Sequence, residues 1–188
     1  MFMMNAPKSL SETKGSVEIE ASAKTDFFID MLSLKARDNA PFYFAKRKGD
    51  FAMKAKVRPV FKATYDAGGL FVYESARKWI KFEFELTDLG YPSIVSVVTD
   101  GVSDDCNGER IGDSGEVWLQ VARKGDNWTL HFSEDGKKWK MARYFQLKMK
   151  GEVKIGLEAQ SPLGKGCKVE FCKLAISDNK LKSMRKGR

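Results

Sequence analysis

Residues 79–85 constrain the fold of this chain more than any other stretch. Two sets of side chains alternate along it, an apolar set and a set of charged residues that begins with a tryptophan: Ile80, Phe82 and Phe84 in the first, Trp79, Lys81, Glu83 and Glu85 in the second. Alternation with a period of two predicts a β-strand with one apolar and one polar face, because a helix would mix the two sets around its circumference. The apolar face must pack on a second layer.

Shorter runs with the same alternation recur along the chain. They occupy residues 17–21, 51–57, 116–123, 128–132 and 153–158, and turn signals such as Lys124-Gly125-Asp126-Asn127 separate them. Strands at a spacing of roughly ten residues are typical of a β-sandwich or a barrel. Strands with one dry and one polar face favour two antiparallel sheets that each face water on one side. We therefore predict an all-β sandwich domain over residues 16–178.

The two ends are predicted to be flexible. Residues 1–15 contain no signal-peptide core, and residues 179–188 form a basic tail with five Lys or Arg and no acid. The tail supplies five of the eight net positive charges, which leaves the other 178 residues nearly balanced. The aromatic residues alternate with hydrophobic rather than basic ones, so we expect no nucleic-acid partner.

The compartment is expected to be the cytoplasm. Three cysteines, Cys106, Cys167 and Cys172, form no CxxC motif and are read as reduced thiols. No apolar run reaches the roughly 18 residues of a membrane helix, so no membrane association is expected.

Six short motifs, in order along the chain, carry a family resemblance. They are TDFF at 25–28, YDAGGL at 65–70, WIKFE at 79–83, VVT at 97–99 with SD at 103–104, SEDGKKW at 133–139 and GLEAQSP at 156–162. Together they resemble the regulation-of-enolase-like family, a domain of unknown function. This resemblance covers residues 16–177 and implies a concanavalin-A-like, galectin-like jelly roll. Two departures stand out: Phe28 replaces an expected Trp, and Ala67 replaces an expected Gln.

The resemblance implies a ligand on the concave outer face of one sheet, where lectins and glucanases of this fold bind sugars. Projected strand parities place planar amides, carboxylates and aromatic rings away from the core, a chemistry suited to carbohydrate. The candidate ligand-binding residues are Asp66, Trp79, Lys81, Glu83, Trp118, Gln120, His131, Glu158 and Gln160. We predict that Trp79, Glu83, Gln120, His131 and Glu158 line one surface. The alternative is an ordinary solvated face with cross-strand ion pairs.

Metal and cofactor sites are not expected. The single histidine, His131, and the absence of clustered cysteines argue against zinc. Calcium in the loop with Asp100, Asp104, Asp105 and Asp113 stays an open alternative, although its spacing matches no EF-hand.

Glycosidase activity is not expected either. Glu83, Glu85 and Asp88 reproduce the Glu-x-Asp-x-x-Glu spacing of concanavalin-A-like glucanases, but the second and third acids are exchanged. Retaining hydrolysis needs two carboxyls about 5–5.5 Å apart, and an exchanged methylene displaces both. A non-catalytic binding module for a carbohydrate or another small polar ligand is therefore our first hypothesis. A regulatory domain with a protein partner is the second and a glycoside-active enzyme the third.

Overall fold

The computed structural model describes residues 1–112 and 114–188, and β-strands dominate it. In chain order the strands are β1 (Phe2–Met4), β2 (Ser9–Thr13), β3 (Ser16–Ser22), β4 (Phe27–Ile29), β5 (Ala36–Asp38), β6 (Phe42–Lys48), β7 (Phe51–Val60), β8 (Ala67–Ser75), β9 (Lys78–Leu86), β10 (Pro92–Asp100), β11 (Val102–Arg110), β12 (Val117–Lys124), β13 (Asn127–Ser133), β14 (Lys140–Gln146), β15 (Glu152–Gln160) and β16 (Gly166–Asp178). The described residues hold no helix long and apolar enough to cross a membrane.

Two seven-stranded antiparallel sheets form the sandwich. The first sheet has the order β1-β6-β15-β8-β9-β10-β11, and the second has the order β14-β13-β12-β7-β16-β3-β2. A separate two-stranded hairpin, β4–β5, belongs to neither sheet. The predicted all-β, two-sheet jelly-roll architecture is confirmed.

The main core lies between the sheets. The alternation in β9 places Ile80, Phe82 and Phe84 there, each fully buried, against Leu119 and Val121 of the second sheet. Gly68 of β8 lies in the same layer, where a Cβ atom would come within 2.3 Å of the Val169 side chain. Apolar side chains on one face of each sheet therefore supply the contact that the sequence pattern requires.

A second apolar cluster covers part of the outer face of the first sheet. Phe27 and Ile29 of the β4–β5 hairpin are fully buried against Phe71, Trp79 and other apolar side chains of that face. The ring centroids of Phe27 and Phe71 are 4.6 Å apart. The Ile29 N–H also donates to Ser103 Oγ at 2.9 Å. The hairpin thus makes a partial third layer and buries part of a face that the sequence pattern predicts to be open to water.

The prediction of flexible ends is wrong. β1 pairs with β6 and β2 pairs with β3, so the first residues extend both sheets. The tail folds back on the outer face of the second sheet, where Gln120 Nε2 donates to the Gly187 carbonyl at 3.1 Å. His131 Nε2 lies 3.2 Å from the Arg185 carbonyl oxygen. The basic composition of the tail indicated a solvated end. The tail docks through its main-chain carbonyl groups, however, and composition gives no information about main-chain contacts.

The loop predicted between residues 100 and 115 is mostly a strand. β11 pairs with β10 over this region, and Asp113 lies outside the described residues. Its polar sequence suits an edge strand, which needs only one partner. In β16 the register shifts between Cys172 and Ala175, close to the point where the alternation of apolar residues in the sequence slips between Phe171 and Leu174.

The docked tail yields a prediction about Gly187. This residue has a φ of +66°, and a Cβ atom there would come within 2.8 Å of the His131 ring. Gly187→Ala should therefore detach the tail and lower the melting temperature by about 2–4 °C, the equivalent of about 1 kcal/mol in a chain of this size. Differential scanning calorimetry measures the change. Gly151→Ala, which meets nothing within 4 Å, is the matched control. Equal effects of the two substitutions would show that the tail contact contributes nothing.

Candidate functional site

A cavity of about 230 Å³ opens on the outer face of the first sheet, next to the β4–β5 hairpin. Acidic, amide and aromatic side chains surround it together with one lysine: Asp26, Phe28, Tyr65, Lys81, Glu85, Val97, Asp105, Gln160 and Pro162. They come from the hairpin, from β9, β10, β11 and β15, and from the loops before β8 and after β15. The cavity thus forms only where the hairpin meets the sheet.

Lys81 is the central side chain of the site. Its ammonium is 2.7 Å from Gln160 Oε1, 3.0 Å from Asp26 Oδ1 and 3.3 Å from Glu83 Oε2. Gln160 and Asp26 accept hydrogen bonds from the ammonium, and Glu83 forms an ion pair with it. Burial lowers the pKa of Lys81, but the charges of Asp26 and Glu83 outweigh it and raise the pKa above its ordinary value. Lys81 therefore stays charged and holds its neighbours in place.

Glu83 and Glu158 meet beneath the cavity, one on each side of Gly69. Gly69 pairs with both residues across β8, and a Cβ atom on it would come within 2.8 Å of the Glu83 side chain. Both carboxyls are about 1% exposed, and their oxygens have no hydrogen-bond partner among the described residues. The missing side chain at Gly69 thus gives two buried carboxyls room to approach each other.

This crowding changes the protonation of the acids. Burial raises the pKa of Glu158 well above its ordinary value, and the neighbouring charge of Glu83 raises it further. Burial also raises the pKa of Glu85 well above its usual range, again with help from Glu83. Burial raises the pKa of Glu83 too, while Lys81 opposes that effect. The single ammonium of Lys81 cannot compensate the charges of all these acids at once. Glu158 and Glu85 therefore retain their protons at a higher pH than exposed carboxyls do.

The rim of the cavity is aromatic and apolar. Phe28 and Tyr65 are partly exposed there, and Tyr65 has a φ of +67° that turns the loop before β8. Gln160 Nε2 donates to the Tyr65 carbonyl at 3.3 Å, which ties this loop to β15. Ala67 pairs with both Glu85 and Gln160, so its small side chain lies on the same face between two polar residues. A glutamine at that position would extend between them.

Four of the predicted site residues belong to this site. Lys81 and Gln160 line the cavity, and Glu83 and Glu158 lie directly behind it. The site also contains residues that the candidate set omitted, namely Asp26, Phe28, Tyr65, Glu85 and Asp105. The first three belong to the motifs TDFF and YDAGGL, so the family motifs were the signal that marked them.

Trp79 and Asp66 are placed elsewhere. Trp79 is fully buried under Phe27, so the prediction that it lies on an open surface is wrong. Asp66 is also fully buried and anchors a loop: its carboxylate accepts from the N–H groups of Lys62 and Ala63, each at 2.9 Å, and from Ser161 Oγ at 2.6 Å. The roles of both side chains here are structural.

The prediction of one shared surface is wrong for Gln120 and His131, and the candidate Trp118 lies with them. These residues lie in β12 and β13 on the second sheet, whereas Glu83 and Glu158 lie in the first. The apolar neighbours of all five do face the core, as predicted. Strand parity identifies which side chains point outward, but it does not say from which of two sheets they point.

The proposed calcium loop brings no ligand set together in the described part of the chain. Asp100 pairs with Lys78 at 3.0 Å, and Asp104 pairs with Arg143 at 3.0 Å, while Asp105 lines the cavity. Outside residue 113, no group of three or more His, Cys, Asp or Glu side chains is arranged to hold a metal ion.

Comparison with known proteins agrees with the motif resemblance. The family described as "Protein of unknown function (DUF1349)" matches residues 3–179. "Regulation of enolase protein 1" of Saccharomyces cerevisiae is 27% identical over 174 residues, which make up 93% of this chain and 87% of the yeast protein.

Solved structures show the same fold. A functionally unknown protein from Saccharomyces cerevisiae superposes with a TM-score of 0.89 at 26% identity, over 95% of this chain and 96% of that one. Lectin I-B4 from Griffonia simplicifolia gives 0.60 at 12% identity, over 94% and 93% of the two chains. A mutant of the GH43 protein BlXynB from Bacillus licheniformis gives 0.71 at 17% identity, over 93% of this chain but 36% of its own. The last two show likeness of fold alone.

The raised pKa of Glu158 gives a prediction of pH-dependent stability. The folded state binds a proton at Glu158 that the unfolded chain releases near pH 4.5, so stability is lost as the pH rises from there through the folded pKa. Glu158→Gln removes this loss and should raise the melting temperature at pH 8 by about 2–4 °C, with a smaller gain at pH 5. Thermal unfolding monitored by circular dichroism at both pH values measures it.

Glu152→Gln is the control for this experiment. Glu152 lies at the start of the same strand, β15, but is exposed and pairs with Lys46 and Lys48 at 3.5 and 3.8 Å. Its substitution should change the melting temperature little at either pH, because exposed ion pairs contribute weakly. A melting temperature of Glu158→Gln at or below that of the parent at pH 8 would contradict the assignment of a crowded, protonated acid.

Proposed function

This chain belongs to the family of proteins of unknown function DUF1349, and from that premise we propose that it is a non-catalytic binding module for a small polyhydroxylated ligand of carbohydrate type. The proposed ligand site is the cavity beside the β4–β5 hairpin. One observation carries the proposal: carboxylate and amide groups converge there with two aromatic rings around a partly open cavity. Carbohydrate recognition combines these elements, because sugar rings have apolar C–H faces and hydroxyl edges.

The balance of hydrogen-bonding groups favours a ligand rich in donors. The Lys81 ammonium donates to Asp26 and Gln160 and forms an ion pair with Glu83, and Gln160 donates one amide N–H to the Tyr65 carbonyl. Among the described residues, no hydrogen bond is formed by the Glu85 carboxyl or by the second oxygen of Asp26, so both are available to the ligand. A polyol satisfies several such acceptors at once, whereas an anion would meet an excess of negative charge.

The size of the cavity supports a compact ligand. Its 230 Å³ is smaller than the roughly 300–1,000 Å³ typical of sites for drug-sized molecules. A single sugar ring or a polyol of similar size matches this space better than an oligosaccharide does. Phe28 and Tyr65 at the rim provide the surface on which such a ring packs.

The arrangement of the acids supports binding rather than hydrolysis. Glu83 and Glu158 lie behind Gly69 and are about 1% exposed, so neither faces the open part of the cavity. Asp88, the third acid of the glucanase-like spacing, falls in an exposed turn after β9 ends at Leu86. The first and third acids of the glucanase-like spacing, Glu83 and Asp88, therefore do not flank the cavity as a catalytic pair would.

Titration with monosaccharides tests the proposal. We expect at least one neutral sugar or polyol to shift the backbone amide resonances of residues around Lys81 and Gln160 in two-dimensional NMR spectra. Phe28→Ala should weaken that binding about tenfold or more, the equivalent of about 1.4 kcal/mol, because the ligand loses its aromatic contact. Isothermal titration calorimetry measures the affinity of both proteins.

The control is Tyr144→Ala, which removes a half-exposed aromatic side chain from β14 on the other sheet. It should leave the sugar affinity unchanged. If a panel of neutral sugars and polyols produces no shift around the cavity, the carbohydrate proposal fails. Shifts that cluster on the second sheet instead would place the ligand elsewhere.

A further inference from the structure

A basic cleft lies on the opposite side of the molecule from the cavity. It measures about 420 Å³, and two distant segments of the chain enclose it. The turn between β13 and β14 contributes Lys137, Lys138 and Trp139, and the tail contributes Arg185, Lys186 and Arg188. We propose that this cleft is a binding site for a small multiply charged anion of the phosphate type. The inference is independent of the proposed sugar site.

The five cations of the cleft are not neutralised within the described chain. Ion pairs involve many other Lys and Arg side chains, but none involves a residue of this cleft among the residues that the structure describes. Like charges held together repel one another, so the arrangement is less favourable when empty than when an anion lies between them. Binding of a polyanion therefore stabilises the folded chain by reducing the repulsion among these cations.

Both walls of the cleft are fixed by specific contacts. In the turn, the Asp135 carboxylate accepts from the N–H groups of Lys137 and Lys138, each at 2.8 Å. These N–H groups lower the pKa of Asp135 to about 2, so the carboxylate stays ionised and stabilises the turn. The cleft is consequently more than a set of flexible side chains on a mobile loop.

The tail wall is anchored through its main chain, which leaves its side chains available. The Arg185 carbonyl contacts His131 and the Gly187 carbonyl accepts from Gln120. The Ser183 N–H donates to the Arg188 carbonyl at 2.9 Å, which closes the end of the tail into a turn. His131 and Gln120, two residues predicted to bind a ligand, thus act here by holding the segment that carries the cations.

The side-chain chemistry points to phosphate. Guanidinium groups form paired hydrogen bonds with phosphate oxygens, and lysines add point charges that suit a ligand with several negative groups. Trp139 adds an aromatic surface beside the cations, which a nucleotide base or another planar group contacts favourably. The volume of the cleft lies within the range typical of sites for small molecules.

Calorimetric titration with inorganic tripolyphosphate at 50 mM sodium chloride tests this site. We expect saturable binding with one ligand per chain, weakening as salt is raised because the interaction is electrostatic. Arg185→Gln with Lys138→Gln should lower the affinity at least tenfold. Lys14→Gln with Lys182→Gln removes the same charge from exposed residues outside the cleft and should change it less than twofold.

A second variant separates loss of the site from loss of the tail. Lys137→Gln with Lys138→Gln alters the turn alone and should also weaken binding at least tenfold, with an unchanged melting temperature. Tighter binding of ATP than of tripolyphosphate would identify a nucleotide as the form of the ligand. Absence of tripolyphosphate binding, equal losses in cleft and control variants, or tighter binding of a single-stranded oligonucleotide would each overturn the proposal.

Discussion

The buried ammonium of Lys81 is the interaction on which the candidate site depends. An isolated charge is costly to bury, and this one is tolerated because three oxygens surround it. Those oxygens come from the residue just before the hairpin, from β9 itself and from β15. One side chain thereby connects three parts of the chain that are far apart in sequence. Its removal would leave Asp26 and Glu83 facing each other without compensation.

The two-sheet fold follows closely from the sequence because apolar core residues recur with a period of two along β7, β9, β12, β13 and β15. Ile80, Phe82 and Phe84 illustrate this, since their spacing alone puts them in the layer between the sheets. The bulge in β16 was also visible, as a slip in that period. Turn residues then divide the strands, so the two-sheet class required no further information. The family resemblance added the jelly-roll topology.

The candidate site was harder to predict, because the sequence pattern does not show to which of the two sheets an outward-facing residue belongs. His131 and Glu158 have equivalent sequence contexts, yet they lie on opposite sides of the sandwich. The hairpin over Trp79 was hidden for a related reason: its strands are three residues long, too short to show a period. Main-chain docking of the tail leaves no pattern in side-chain composition. Contacts between distant segments decided each of these outcomes.

The hairpin has a consequence for the order in which this molecule is assembled. The links of the hairpin and of the preceding Asp26 to the first sheet join residues far apart in sequence, with a separation of 55 positions from Asp26 to Lys81 and of 74 from Ile29 to Ser103. Closing such long loops has an entropic cost, and the contacts that offset it form only when the first sheet is present. A chain with both sheets fully paired still lacks a binding site until the hairpin docks. The cavity therefore exists only in the fully folded molecule. Binding of a ligand there would report that the hairpin has docked on the first sheet.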